Sequence, residues 1–218
     1  MTTETTPPAR PTPSGPMQRL KEETWDMHQM AEGQALEQNL IKGTLPKEKY
    51  VENIGQRYLI HSRIDSLLKK ARIADPRVAN IVDDTQFHSE SARKDLQFFG
   101  IDPLEVEPNE ATSAFLDVIQ AAFEEAPINL LGIHYVMEGS TNGARFIAKA
   151  IRKAYDLEGT AGTYLLDPYG EQQRPNWMRF VQTANAQQYS DAEVTRMVHY
   201  ARETFRHITA IGQAIYPG

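Results

Sequence analysis

The chain has no cysteine. That excludes disulfides, thiolate metal sites and cysteine nucleophiles, and it leaves the redox compartment open. It also lacks an excess of positive charge. The net charge of −6 argues against a broad nucleic-acid surface, which is basic, although a local basic patch is compatible with it. No apolar run approaches the length of a membrane span. The opening MTTETTPPARPTPSGP has neither the basic start nor the apolar stretch of a secretory signal. These absences predict a cytoplasmic protein with no membrane and no nucleic-acid partner, and a short solvated, disordered tail over about residues 1–14. The rest, about 15–218, is expected to form one helical domain. Its 218 residues suffice for a real core, and 40% hydrophobic with 24% charged residues is ordinary for a globular protein.

Strand signals are missing too. No alternating apolar run with tight glycine turns is found, and from residue 16 onward the periodicity is helical. A first helix opens near Ser14–Pro16, with Ser14 as cap, carries Leu20, Thr24, Met27, His28 and Ala31 at spacings of three and four, and stops near Gly33. Lys21 lies seven positions before His28, on the same face. A second helix starts after Gly43, with Thr44 as candidate cap, and carries the stripe Tyr50, Ile54, Tyr58, His61, Ile64 and Leu68 to about Arg72. Asp75–Pro76 breaks it. Helices over about 77–83, 86–99 and 110–125 follow, then one from Pro127 to Tyr155, one over about 175–188, and a last one capped by Ser190 and Asp191 that reaches Ile215. That makes about eight. His61 and His134 fall on apolar stripes and read as core histidines, and Tyr58, Tyr135 and Phe205 as core or pocket-wall aromatics.

The segment INLLGIHYVMEGSTNGARFIAKAIRKAY is the most informative. Gly139 and Gly143 interrupt an otherwise strong helix, and each glycine in a helix interior costs about 1 kcal/mol relative to alanine. Close helix packing, or two helices joined by a loop, would explain them. So would a kinked helix whose backbone approaches a flat ligand.

Four stretches carry a family resemblance. LKEETWDMHQMAE resembles the first helix of heme oxygenases. LIKGTLPKEKYVENIGQRYLIHSRI resembles their second helix and its approach, and RKDLQFFGI a segment between. LLGIHYVMEGSTNGARFIAKAI resembles their distal helix, in the EGS-x-x-G form of bacterial members. The resemblance covers about residues 17–215 and keeps the order of elements. It implies an all-α heme oxygenase-like bundle with a kinked distal helix and heme between two helices. It implies His28 as the iron ligand, since imidazole suits iron, with Glu32 one turn on to orient it. Lys21 would reach a propionate, Tyr135 and Phe205 would line the pocket, and Gly139 and Gly143 would let backbone lie close above the iron. Ser140 and Asn142, with Thr141, would order the water that supplies protons. The implied reaction cleaves heme to biliverdin with release of CO and ferrous iron. It takes O2, with electrons from a ferredoxin or a flavoprotein reductase.

Two departures from the family pattern stand out. Many members carry Asp directly after the first glycine, where this chain has Ser140; a carboxylate organises water more strongly than a hydroxyl. Ala144 replaces a further glycine. On the late helix NWMRFVQTANAQ, where the family has basic residues for the propionates, the matching place holds Gln182. Arg179, nearly one turn earlier, is the replacement candidate, with Arg174 in reserve. These departures keep open a non-catalytic heme-binding or heme-sensing protein on the same fold. A non-heme di-iron oxidase is a further alternative, drawing on Glu32, His61, Asp65, His88, Glu138 and His199. Hydrolases on this scaffold rely on a cysteine that is absent here.

Overall fold

The computed structural model describes residues 15–218, so the expected tail over 1–14 and the expected cap Ser14 lie outside the described residues. The described residues form nine α-helices and no strand: α1 Pro16–Glu32, α2 Ala35–Lys42, α3 Lys47–Ala74, α4 Pro76–Ile81, α5 Ser89–Phe98, α6 Glu110–Glu125, α7 Leu130–Ala154, α8 Gln173–Asn185 and α9 Asp191–Ile215. The extra helix relative to the sequence reading is α2. It is short, and its apolar signal reduces to Leu36 and Leu40 one turn apart, both buried. Gly43 ends it with φ 66°, a left-handed position that glycine takes without strain.

Local chemistry explains most boundaries. Pro16 stands at the start of α1, where its missing N–H costs nothing. Asp75 accepts from the Arg77 amide and caps α4, and Asn109 accepts from the Thr112 amide and caps α6. Ser190 and Glu193 form a reciprocal capping box at the start of α9. Thr44 is not a cap: its hydroxyl donates to Asn39 Oδ1, and α3 begins behind Pro46.

The centre of the bundle is α9, against which α1, α6 and α7 pack along much of their lengths. At the α7–α9 crossing a Cβ on Gly132 would lie 2.1 Å from the Met197 carbonyl oxygen, so only glycine permits this approach. Leu20, Leu68, Phe115, Leu131, Phe180 and Met197 are fully or almost fully removed from water around it. Both α1 and α7 also touch α8, yet they scarcely touch each other. The space between them is therefore bordered by α8 and α9.

Candidate active site

His28 projects from the middle of α1. Its side chain is 43% exposed, in a residue class that packing would normally hide or leave free. Three neighbours fix the ring. Trp25, one turn earlier, lies flat against it with ring centroids 5.3 Å apart and 8° between planes. Phe205 of α9 meets it edge-on at 5.9 Å. Glu32 Oε2 lies 3.7 Å from Nδ1, beyond hydrogen-bonding distance. Nδ1 is shielded from solvent and has no partner. The exposed part of the ring is its other edge, which carries Nε2. This is the orientation a metal ligand needs, with one nitrogen turned to a carboxylate and the other open. Lys21 is exposed one and a half to two turns before His28 and forms no ion pair among the described residues.

Opposite stands α7. Its helical hydrogen bonding is continuous from Leu130 to Ala154 and passes through both glycines, so the segment is neither two helices nor a helix–loop–helix. Neither glycine has a positive φ. A Cβ on Gly143 would meet nothing within 4 Å, and one on Gly139 would come to 3.4 Å from the Trp177 ring, an ordinary contact. No helix–helix packing therefore requires glycine at these two positions. Three successive side chains donate to carbonyls three residues back: Ser140 Oγ to Met137 O at 2.7 Å, Thr141 Oγ1 to Glu138 O at 2.6 Å, and Asn142 Nδ2 to Gly139 O at 3.0 Å. Such bonds loosen a helix locally. They use the Ser140 hydroxyl proton and one of the two Asn142 amide protons.

Tyr135 sits one turn before Gly139, half-buried, with its ring 5.7 Å from Trp177. Burial pushes its hydroxyl up to about 12. Trp177 of α8 thus touches both Tyr135 and the Gly139 position. Arg179 does not join this group. Its guanidinium pairs with Asp83 in the turn before α5, which supplies the physical reason it is not a free cation at the cleft. Arg174 is exposed at the start of α8, and Gln182 is exposed further along it.

Beside α7 lies a buried polar cluster that includes four residues of the di-iron alternative and adds Tyr169. Glu138, with no exposure, accepts from His88 Nε2 at 3.1 Å, and the Tyr169 hydroxyl lies 3.4 Å from the same nitrogen. The His61 ring meets His88 edge-on at 5.6 Å. Asp65 accepts from the Ser89 amide at 2.9 Å. Burial pushes His61 well below the usual imidazole value, with His88 adding to it, and lowers His134 to about 4. Both are neutral core histidines. Burial acts most strongly on Glu138 and raises it, but the bond from His88, the nearby His134 and His88 rings and the Tyr169 hydroxyl together hold the carboxyl below its ordinary value. His61, Asp65, His88 and Glu138 of the di-iron alternative do meet here. Only His88 and Glu138 of the four share a hydrogen bond, and among the described residues no three acidic or histidine side chains are grouped to hold a metal. His199 is exposed on α9.

Trp25 was legible as an i−3 neighbour of His28. Trp177 and Gln173 were not, because only the approach of α8 to α7 brings them to Gly139 and Thr141. A surface groove of about 760 Å³ lies elsewhere, between the start of α3, the end of α5 and the residues after α7, and is lined by Lys47, Phe99 and Tyr155. Among the described residues no helix is long and apolar enough to cross a membrane.

The residues fit a flat ligand held by a metal: an open imidazole edge on α1, and on α7 a backbone stretch kept bare of side chains. Known proteins agree. The family model described as heme oxygenase matches residues 16–214. Heme oxygenase 1 of Synechocystis is 27% identical over 192 residues, spanning 86% of this chain and 79% of its own length. The crystal structure of heme oxygenase-1 from that cyanobacterium, in complex with heme, superposes with a TM-score of 0.85 at 22% identity and covers 93% of each chain. The heme oxygenase of Leptospira interrogans superposes with a TM-score of 0.85 at 20% identity, covering 92% of this chain and 99% of its own. The chain belongs to the heme oxygenase family of enzymes.

Proposed function

We propose that the protein binds heme through His28 and cleaves it to biliverdin, releasing CO and ferrous iron. The observation that carries this reading is the state of the His28 ring: Nδ1 shielded and turned to Glu32, the Nε2 edge open, and Trp25 and Phe205 holding the plane. When bound, heme supplies both the iron that activates O2 and the ring that is cut. The protein's part is positional. His28 Nε2 would hold the iron. Glu32 favours the tautomer with the proton on Nδ1, which leaves Nε2 as donor to the metal. Lys21 offers its ammonium to a propionate. Gly139 and Gly143 keep side chains away from the oxygen-binding face. Ser140, whose hydroxyl donates to a carbonyl, would present lone pairs that accept from water, and Asn142, whose Oδ1 lies 3.4 Å from Gln173 Nε2, would keep one amide N–H for water. Electrons come from an external donor, a ferredoxin or a flavoprotein reductase.

The test is turnover. Hemin-loaded protein is reduced with ascorbate, or with ferredoxin and its reductase, under air, and the products are separated by chromatography. Biliverdin with loss of the heme band supports the reading. A heme spectrum that persists under reductant contradicts catalysis and leaves a heme carrier or sensor. The engaged hydroxyl donor of Ser140 favours that second reading.

A further inference from the structure

We propose that Glu138 and Gln173 are positioning residues that clamp α7 at two successive turns of residues 138–142 and thereby set which edge of bound heme is opened. This rests on the heme-cleaving reading.

The segment they hold is soft by construction. It contains Gly139 and Gly143, and the side chains of residues 140, 141 and 142 all bond to carbonyls three residues back. A stretch like this has several accessible depths and rotations unless neighbours choose one. Two neighbours do.

At the first turn, Glu138 is tied to His88 at 3.1 Å. His88 immediately precedes Ser89, whose amide is held by Asp65 of α3 at 2.9 Å. The α7 backbone before Gly139 is thus tethered through α5 to α3. One turn on, Gln173 Nε2 donates to Thr141 Oγ1 at 2.6 Å and lies 3.4 Å from Asn142 Oδ1. Trp177, one turn along the same helix, stands over Gly139. α8 therefore contacts α7 at two adjacent points.

The two clamps are one chain of bonds. Thr141 Oγ1 accepts from Gln173 and donates to the Glu138 carbonyl. An ionised carboxylate only accepts, so His88 Nε2 carries the proton between them. Directional bonds in a buried place choose one arrangement where apolar contacts would tolerate several. A shift of the roof by a fraction of its own width changes the space above each edge of a flat ligand.

Three proteins are compared: the parent, Gln173→Leu and Glu138→Gln, all loaded with hemin. The readouts are hemin affinity with the Soret position, azide affinity of the ferric complex, and the ratio of biliverdin isomers after turnover. His28 lies on another helix, so hemin affinity is expected to stay within about threefold and the Soret band to stay in place. Azide affinity is expected to change at least about fivefold, and the isomer ratio to depart from the parent's. A merely structural role would lower Tm and leave these two readouts alone. Should Glu138→Gln fail to fold, Gln173→Leu decides by itself. Parental azide affinity and isomer ratio in the folded variants overturn the proposal. If the parent itself does not bind hemin, the heme-cleaving reading fails first, and that outcome is distinct. If the parent binds hemin without turning it over, azide affinity alone decides.

Discussion

Trp25 lies flat against His28, with 8° between the ring planes and 5.3 Å between centroids. The indole is also half-exposed, so it borders the site as well as supporting the imidazole. The other tryptophan, Trp177, stands against Gly139 on the opposite side. Both tryptophans of the chain therefore flank the proposed ligand. Titration with hemin is expected to quench nearly all tryptophan emission, saturating together with the Soret band. Survival of half the emission or more at saturation would show that the ligand sits elsewhere.

Gly143 gives a second prediction, because space is free around it. Ala there meets no atom and removes the helix penalty of glycine. Gly143→Ala should stabilise the hemin-free protein by about 1 kcal/mol, a rise in Tm of about 2–4 °C for a chain of this size. The same methyl should weaken hemin binding or slow turnover. A variant that is more stable and turns over at the parent's rate would mean that the glycine does not face the ligand.

Much of the fold was readable because long helices write their period plainly. The spans of α6 and α9 follow directly from apolar spacing and, for α9, from the cap at Ser190. α2 was unreadable because two leucines one turn apart are too few to show a period. His28 and its contacts with Glu32 and Trp25 were accessible, since all three lie within two turns of one helix. Phe205 was reachable only through the family resemblance, as its contact with His28 crosses from α9 to α1. Arg179 shows the opposite limit. Its place on the late helix was legible, but the Asp83 carboxylate that takes its charge is 96 residues away in sequence. The network of His88, Glu138, Tyr169 and Gln173 joins four separate segments, and nothing in local spacing connects them.

His134 predicts an acid-labile core. Its ring is buried and neutral, with a value of about 4 against about 6.5 when unfolded. The unfolded chain therefore binds the extra proton first, and stability falls as pH drops from about 6.5 towards 4. In parallel urea titrations, the stability difference between the parent and His134→Gln should shift in favour of the variant by about 3 kcal/mol between pH 7 and pH 4. A difference that stays constant over that range would mean the ring is not buried neutral.

Asp95 holds the connection between α7 and α8. It is fully buried and accepts from the amides of Tyr164 and Leu165 at 2.8 Å each. Asp95→Ala strands two amides, each costing about 1–3 kcal/mol. Stability should fall by about 2–5 kcal/mol, and limited proteolysis should cut first within 158–169. Cleavage at the parent's rate would show that other contacts hold the segment.

The imidazole of His28 is the point on which the whole account turns. The direct measurement is the visible spectrum of the protein with one equivalent of hemin, for the parent and for His28→Ala, each with and without added imidazole. The account predicts a sharp Soret band in the parent, its loss or broadening in His28→Ala, and its return when imidazole fills the space left by the ring. A His28→Ala spectrum identical to the parent's before imidazole is added would contradict it.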